Sequence, residues 1–342
     1  MSKQDAGINQ VYAFQNLKEE VMKSSSGGAF IALCRAFENI HKGNAVFYGA
    51  AFDDKLNVVH RYAESVNECK AFQGSKYVKS NCNIQELKIK EQIRKGKYIL
   101  FSGTPCQIYA LNQYIKRHEL PRHMFLTVDV ICHGTPKTEF WDAYKSWLEQ
   151  KYGSRMTKYS FRYKPEGWKA YPAFAAFENG KILINTAETS VFSHVQMAGL
   201  SIAKGCFSCP FANERRFSDI TLGDYWGIEH VFSNLHYKKG VSLVLVHSQE
   251  AVALIDEMCK SQNTFCIKTT DKSYLKYQHN LNNPTQCPEN YERFWNDFSK
   301  LSFEELIVKY IGYGYKYKII YQIKKAIRKT PLIEWYRDGR RK

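Results

Sequence analysis

Hydrophobic positions along this chain follow two rhythms, one of amphipathic helices and one of short buried strands. Phe30, Leu33, Phe37 and Ile40 recur at helical spacing. Residues 45–52 and 57–62 read as strands joined by the turn Asp53-Asp54-Lys55. A basic helix follows over 84–95 and is closed by Gly96. Tyr98-Ile99-Leu100-Phe101 is apolar throughout, as a parallel strand buried on both faces must be. It runs into Ser102-Gly103-Thr104-Pro105-Cys106 and a helix from about Gln107. The pattern then repeats, with a strand over 125–131, the turn Cys132-His133-Gly134-Thr135-Pro136 and a helix over 139–152. Strand, glycine turn and helix start, in that order, put ligands at the carboxyl edge of an open sheet.

Residues 157–187 change character. Strand-like runs cover 159–163, 171–177 and 181–184, with the hairpin signal Glu178-Asn179-Gly180 between the last two. They predict an antiparallel insertion. A helix around 190–198, a strand over 241–246, a helix over 250–259 and a helical stretch over 291–311 follow. The fold class expected is α/β with α+β elements. A mostly parallel sheet is flanked by helices, with the antiparallel insertion and a helical C-terminal part. Residues 1–23 read as a polar lead-in, 24–310 as the core with its insertion at 157–187, and 311–342 as a basic amphipathic tail. In that tail Ile319, Ile320, Ile323 and Ile327 are interleaved with lysine and arginine. The pattern suits an anionic membrane, a partner surface or a solvated end.

Composition changes this picture little. Of 342 residues, 44% are hydrophobic and 24% charged, as in an ordinary soluble protein. No apolar run approaches the ~20 residues of a membrane span, and the first residues carry no signal-peptide core. Ten cysteines are too sparse for a disulfide scaffold, which predicts a cytoplasmic chain with reduced thiols. Charge adds more. A balance of 49 basic against 33 acidic residues gives +16. It fits nucleic acid, an anionic membrane, an acidic partner or a phosphate-bearing cofactor equally well.

The candidate chemistry centres on cysteine. Cys206 and Cys209 stand three apart in Gly205-Cys-Phe-Ser-Cys-Pro210, a spacing at which two thiolates chelate one metal centre. They supply half of the four ligands that an iron–sulfur cluster or a structural zinc requires. Cys106 and Cys132, each where a strand gives way to a turn, are the candidates for the other half. A thiol at a helix start has a lowered pKa, which favours ligation; taken singly, either also reads as a buried structural cysteine. The four are expected to meet at one centre. Ser25, Ser26, Gly27 and Gly28 open the first long helix, where free N–H groups suit an anion and where serine also simply caps. Lys76 and Tyr77, beside Gly74, have the chemistry to hold a phosphate and stack on a planar ring, or to line a solvated loop. Asp219 and Asp224 have the chemistry to orient a ring nitrogen, a ribose or a lysine.

Six motifs occur in order: Ser-Ser-Ser-Gly-Gly-Ala-Phe, Gly-Ser-Lys-Tyr-Val, Ser-Gly-Thr-Pro-Cys-Gln, Cys-His-Gly, Gly-Cys-x-x-Cys and Ser-Asp-Ile-Thr-Leu-Gly-Asp-Tyr-Trp-Gly. Through them residues 20–310 resemble the beta subunit of coenzyme F420-reducing hydrogenase and its dehydrogenase relatives. The likeness leans to the bacterial branch found with polysaccharide-biosynthesis proteins. The resemblance implies an iron–sulfur flavoprotein oxidoreductase with one FAD and one [4Fe-4S] cluster. By motif, Cys106, Cys132, Cys206 and Cys209 would ligate the cluster. Ser25, Ser26, Gly27, Gly28, Lys76, Tyr77, Val78, Gly103 and Thr104 would line the FAD, with Asp219 and Asp224 counted among the cofactor-binding residues. His133 would donate a proton to flavin or substrate, or hydrogen-bond a ligand sulfur. Electrons would pass to or from a small or sugar-linked substrate, or to coenzyme F420, a deazaflavin. Many relatives carry an N-terminal ferredoxin-like module; this chain starts almost at the serine motif, so a separate ferredoxin or donor subunit is expected. No nucleic acid partner is expected. Two other classes compete: a zinc-stabilised basic binding module, which would be colourless, and a cofactor-less assembly partner that retains the fold.

Overall fold

A computed structural model describes residues 10–166, 168, 172–232, 237–261 and 264–328. The start of the expected lead-in (1–9), the first residue of the strand expected at 171–177, and the end of the tail (329–342) lie outside the described residues. In chain order the first elements are β1 (Gln10–Gln15), α1 (Lys18–Lys23), α2 (Ala29–His41), β2 (Ala45–Phe52), β3 (Val58–Ala63), α3 (Ile89–Arg94), β4 (Tyr98–Gly103), α4 (Pro105–Arg117), β5 (Phe125–Val130) and α5 (Thr138–Tyr152). Next come β6 (Met156–Ser160), β7 (Phe174–Phe177), β8 (Ile182–Ile184), α6 (Ala187–Met197), β9 (Ile220–Asp224), β10 (Ser242–Val246) and α7 (Gln249–Cys259). The last are β11 (Phe265–Thr269), α8 (Tyr274–Tyr277), α9 (Tyr291–Phe298), α10 (Phe303–Ile311) and α11 (Tyr315–Arg328). They divide between two compact units, one of residues 1–135, 162–171 and 203–285, the other of 136–161, 172–202 and 286–342.

The first unit is built on a sheet of order β11-β1-β10-β9-β5-β4-β2-β3. Its centre, β9-β5-β4-β2, is parallel, and β1 runs the same way. The central strands are apolar without a break because both faces are covered. Alternate residues part to opposite sides. Phe47 and Leu100 pack beneath α2 and α7. Val46, Tyr48, Ile99 and Phe101 pack against α4.

The second unit pairs the antiparallel sheet β6-β7-β8 with helices α5, α6, α9, α10 and α11. The β7–β8 turn is the expected Glu178-Asn179-Gly180, with Gly180 at φ +80. Its core is aromatic. Trp141 and Tyr144 are fully buried among Tyr159, Phe161 and Phe192.

Four local expectations are corrected. Residues 10–15, placed in the polar lead-in, form β1, a central strand of the sheet. The run Val11-Tyr12-Ala13-Phe14 is buried throughout, and the glutamines on each side hid it. The helix expected over 84–95 breaks at Lys88, φ +55, into a 3-10 turn and α3. Leu87 and Ile89, two apart, enter the same core, which no single helix face allows. The stretch 291–311 is two helices, because Ser302 and Glu305 form a capping box that starts α10 afresh. Cys259 and Cys266 are joined as a disulfide, so the thiols are not all reduced as expected.

Candidate functional site

The parallel strands end at one edge, and four loops follow them there. The β1–α2 connection carries Ser25–Gly28, β4 leads to Gly103, Thr104 and Cys106, β5 leads to Cys132 and His133, and β9 ends at Asp224. This is the carboxyl edge predicted from the repeated Gly-Thr-Pro turns.

Cys106 lies in the first turn of α4. The Thr104 hydroxyl is 3.1 Å from its sulfur. Gln107 Oε1 accepts from the Thr104 N–H at 2.9 Å and from its hydroxyl at 3.1 Å, which fixes the helix start. The loop bearing Cys206 and Cys209 is held from two sides. On one side the Ala203 N–H donates to Thr135 O, in the loop of Cys132, at 2.9 Å. On the other, Phe211 and Phe217 pack on Tyr109 of α4, and Asn112 Nδ2 donates to Phe217 O at 2.7 Å.

These contacts make Cys106, Cys206 and Cys209 electrostatic neighbours of Cys132. Burial is the largest cause pushing Cys132 up to about 12, and Cys106, Cys206 and Cys209 add to it. Cys209 is also raised by burial and by Cys106 and Cys206. At neutral pH a Cys132 thiol raised this far is protonated and uncharged. Among the described residues no three or more His, Cys, Asp and Glu side chains are close enough to hold a single metal ion. A fifth thiol, Cys82, feels Cys106 as well, and burial first of all pushes it up to about 12. The sequence pattern gives no hint of it, since Cys82 belongs to no motif.

The Ser25–Gly28 segment crosses the sheet edge under tight constraint. Ser26 Oγ donates to Val241 O at 2.9 Å, and Ser25 Oγ accepts from the Ser75 N–H at 2.7 Å. A Cβ on Gly27 would lie 2.1 Å from Phe14 O, so only glycine fits between β1 and β10. Gly28, at φ +84, starts α2, whose first turn has neither a side-chain cap nor an acidic residue. The Ala29 N–H there donates to Ser242 Oγ at 3.4 Å, and the dipole of this helix end favours an anion. The α4 end does so less, because Gln107 already takes the Thr104 N–H.

Lys76 does not face outward. Its Nζ donates to Ala71 O at 2.9 Å and Gln73 O at 3.0 Å, and burial lowers it to about 7. Val78 is buried. Tyr77 lies near Arg162 and Asp224, and burial raises its phenol. The two aspartates, expected to act alike, are separated. They bracket β9 at opposite ends, about 16 Å apart at the usual strand rise. Asp219 is taken by Arg122, at 2.8 Å to each oxygen, and by the Thr127 N–H and hydroxyl at 2.7 Å. It ties β5 to β9 at the amino end and faces no ligand edge. Asp224, at the ligand edge, accepts from Arg162 Nη1 at 2.6 Å and Trp168 Nε1 at 3.0 Å. Trp168 stacks on Trp226 with centroids 4.7 Å apart. Burial lowers the His133 imidazole, with Asp224 pulling the other way.

Two further residues organise the edge. Lys164 is buried, donates to Val21 O at 2.8 Å and to Ser26 O, and is lowered to about 7 chiefly by burial. Arg216 reaches buried Asp129 at 2.8 Å, the Thr221 hydroxyl at 3.2 Å and Phe211 O at 3.2 Å. The signal for it was an aspartate inside the apolar strand β5, because a buried carboxylate demands a cation.

His247 closes this network through Thr221 Oγ1 at 2.9 Å. Burial, helped by Arg216, lowers it from 6.5 to about 4, so it is neutral at pH 7. Between those two values the unfolded chain binds a proton that the folded chain does not. Stability is therefore lost as pH falls from 6.5 towards 4, by roughly 3 kcal/mol for this group. Urea unfolding at pH 7 and pH 5 measures the loss, and His247→Gln is expected to flatten the slope. An unchanged slope would refute the assignment.

A family model for the C-terminal part of the coenzyme F420 hydrogenase/dehydrogenase beta subunit matches residues 96–272. A chain of the F420-reducing [NiFe] hydrogenase complex from Methanosarcina barkeri is similar in fold, with a TM-score of 0.51 and 15% identity. The likeness covers 85% of this chain and 94% of that one. No curated protein matches the sequence.

Proposed function

This chain belongs to the coenzyme F420 hydrogenase/dehydrogenase beta-subunit family, and from that premise we propose that it is a flavin- and iron–sulfur-dependent oxidoreductase. Its substrate is a small or sugar-linked molecule, as in polysaccharide biosynthesis, or a deazaflavin such as coenzyme F420. A ferredoxin or partner subunit supplies or removes the electrons. The similar fold in a hydrogenase complex supports a partner of that kind. The protein is cytoplasmic, at the inner face of the membrane; among the described residues no helix is long and apolar enough to cross one.

One observation supports the reading: Cys132, at the carboxyl edge of the sheet, feels Cys106, Cys206 and Cys209 from two other loops as electrostatic neighbours. Cys106, Cys132, Cys206 and Cys209 would hold a [4Fe-4S] cluster. When bound, the cluster would supply single electrons and FAD would exchange them in pairs. The start of α2 at Gly28, which has no acidic residue in its first turn, would favour the pyrophosphate, and Lys164 fixes the Ser26 carbonyl so that this loop keeps its course. Tyr77, Asp224, Arg162 and the Trp168–Trp226 stack would form a polar and aromatic wall beside it. His133, exposed just beyond the end of β5, would offer a ring nitrogen that can accept or return a proton.

Oxygen-free purification followed by absorption spectroscopy and iron, zinc and flavin assays tests the reading. Iron near four atoms per chain with bound FAD is the expected result. A colourless protein containing zinc, or neither metal nor flavin, would overturn it.

A further inference from the structure

The last helix of the second unit presents its apolar side outward. Tyr317, Tyr321 and Lys325, four apart, turn towards the body of that unit. The Tyr317 hydroxyl bonds Ser190 Oγ at 2.8 Å and His194 Nδ1, and Tyr321 donates to Asn185 Oδ1. Lys325 Nζ donates to Asn185 O at 2.8 Å. At ~100° per residue, Ile319 and Ile323 fall on the opposite side and Ile320 on its flank. They are 41%, 39% and 52% exposed. A helix placed only for packing would turn isoleucine inward and tyrosine or lysine outward.

We propose that α11 seats this protein on an anionic lipid bilayer, with Ile319, Ile320 and Ile323 entering the headgroup boundary. Charge selects the occupant. The fourteen residues of α11 include four lysines and an arginine and no acidic residue, in a chain of net charge +16. Lys316 projects from the middle of the isoleucine stripe, and Lys324 borders it. A protein groove closing over the stripe would bury the Lys316 ammonium, whereas at a bilayer the side chain snorkels back to the phosphates. A second copy would press one lysine-rich helix against another. The inference deepens the peripheral location proposed above and is independent of any cofactor, because its test needs none.

The full chain is sedimented with vesicles of phosphatidylcholine alone and of phosphatidylcholine mixed with phosphatidylglycerol. Binding is expected to the mixed vesicles only, and to weaken as salt is added. Ile320→Asp with Ile323→Asp is expected to weaken it at least about tenfold, and Lys316→Gln about fivefold. An unchanged melting temperature shows that these surface variants keep the fold. No binding at low salt, equal binding to neutral vesicles, or full binding by the double aspartate variant would each overturn the proposal. So would a solution dimer that Ile323→Asp disperses, which would assign the face to a second copy. None of these outcomes bears on iron or flavin content, so the two readings fail separately.

Discussion

A Cys209→Ser chain purified without oxygen is expected to lose nearly all of the iron that the parent retains, while its far-UV circular dichroism stays the same. A structural four-ligand metal site shares an apparent ~10–16 kcal/mol among its ligands, so removing one weakens the hold roughly a hundredfold. Cys209 is the informative choice because it lies partly exposed on a loop held elsewhere, through Tyr109, Asn112 and Arg216. Cys132 closely follows the buried strand β5, and replacing it would mix lost ligation with lost packing. Cys82 provides the control. It feels Cys106 as a neighbour yet belongs to no ligand motif, so Cys82→Ser is expected to keep its iron. If Cys82→Ser lost the iron and Cys209→Ser kept it, the ligand set would have to be redrawn around the fifth thiol.

The strands at the centre of the sheet were legible because burial on both faces leaves an unbroken apolar run. β4 and β5 each end in a glycine turn, and that punctuation located Cys106 and Cys132 at one edge. β1 was not legible. Its four buried residues sit between glutamines, and its partners β10 and β11 come more than two hundred residues later. The two aspartates illustrate a different limit. Asp219 and Asp224 belong to one motif, but the strand between them carries one to each edge, so proximity in sequence became distance in space. Lys76 and Tyr77 parted for a similar reason, the lysine bonding back to the carbonyls of Ala71 and Gln73. The serine–glycine motif was recognisable, but the contact that steers it, Lys164 to the Ser26 carbonyl, joins residues 138 apart. Polar pairing of that range leaves no periodicity to read.

Arg216→Met is expected to destabilise the protein by about 3–5 kcal/mol, the cost of leaving a buried charge without its partner. The Asp129 and Arg216 side chains are 0% and 2% exposed, with Nη2 and Oδ2 2.8 Å apart. Burial is the largest influence on the Asp129 carboxyl and pushes it up, while Arg216 pulls it back. Without the guanidinium, that carboxylate must either stay charged in an apolar layer or take up a proton at neutral pH. The same arginine holds Phe211 O, two residues beyond Cys209, so it couples the β5 strand that precedes Cys132 to the loop bearing Cys206 and Cys209. Two effects are therefore superimposed, and a double variant separates them. Asp129→Asn with Arg216→Met removes the stranded charge but not the missing tether. Urea unfolding of the metal-free protein is expected to show the double variant recovering most of the lost stability. Iron retention in the double variant is expected to stay low, because the loop is still loose. If the double variant were as unstable as the single one, tethering would account for the whole effect, and the buried ion pair would contribute nothing of its own.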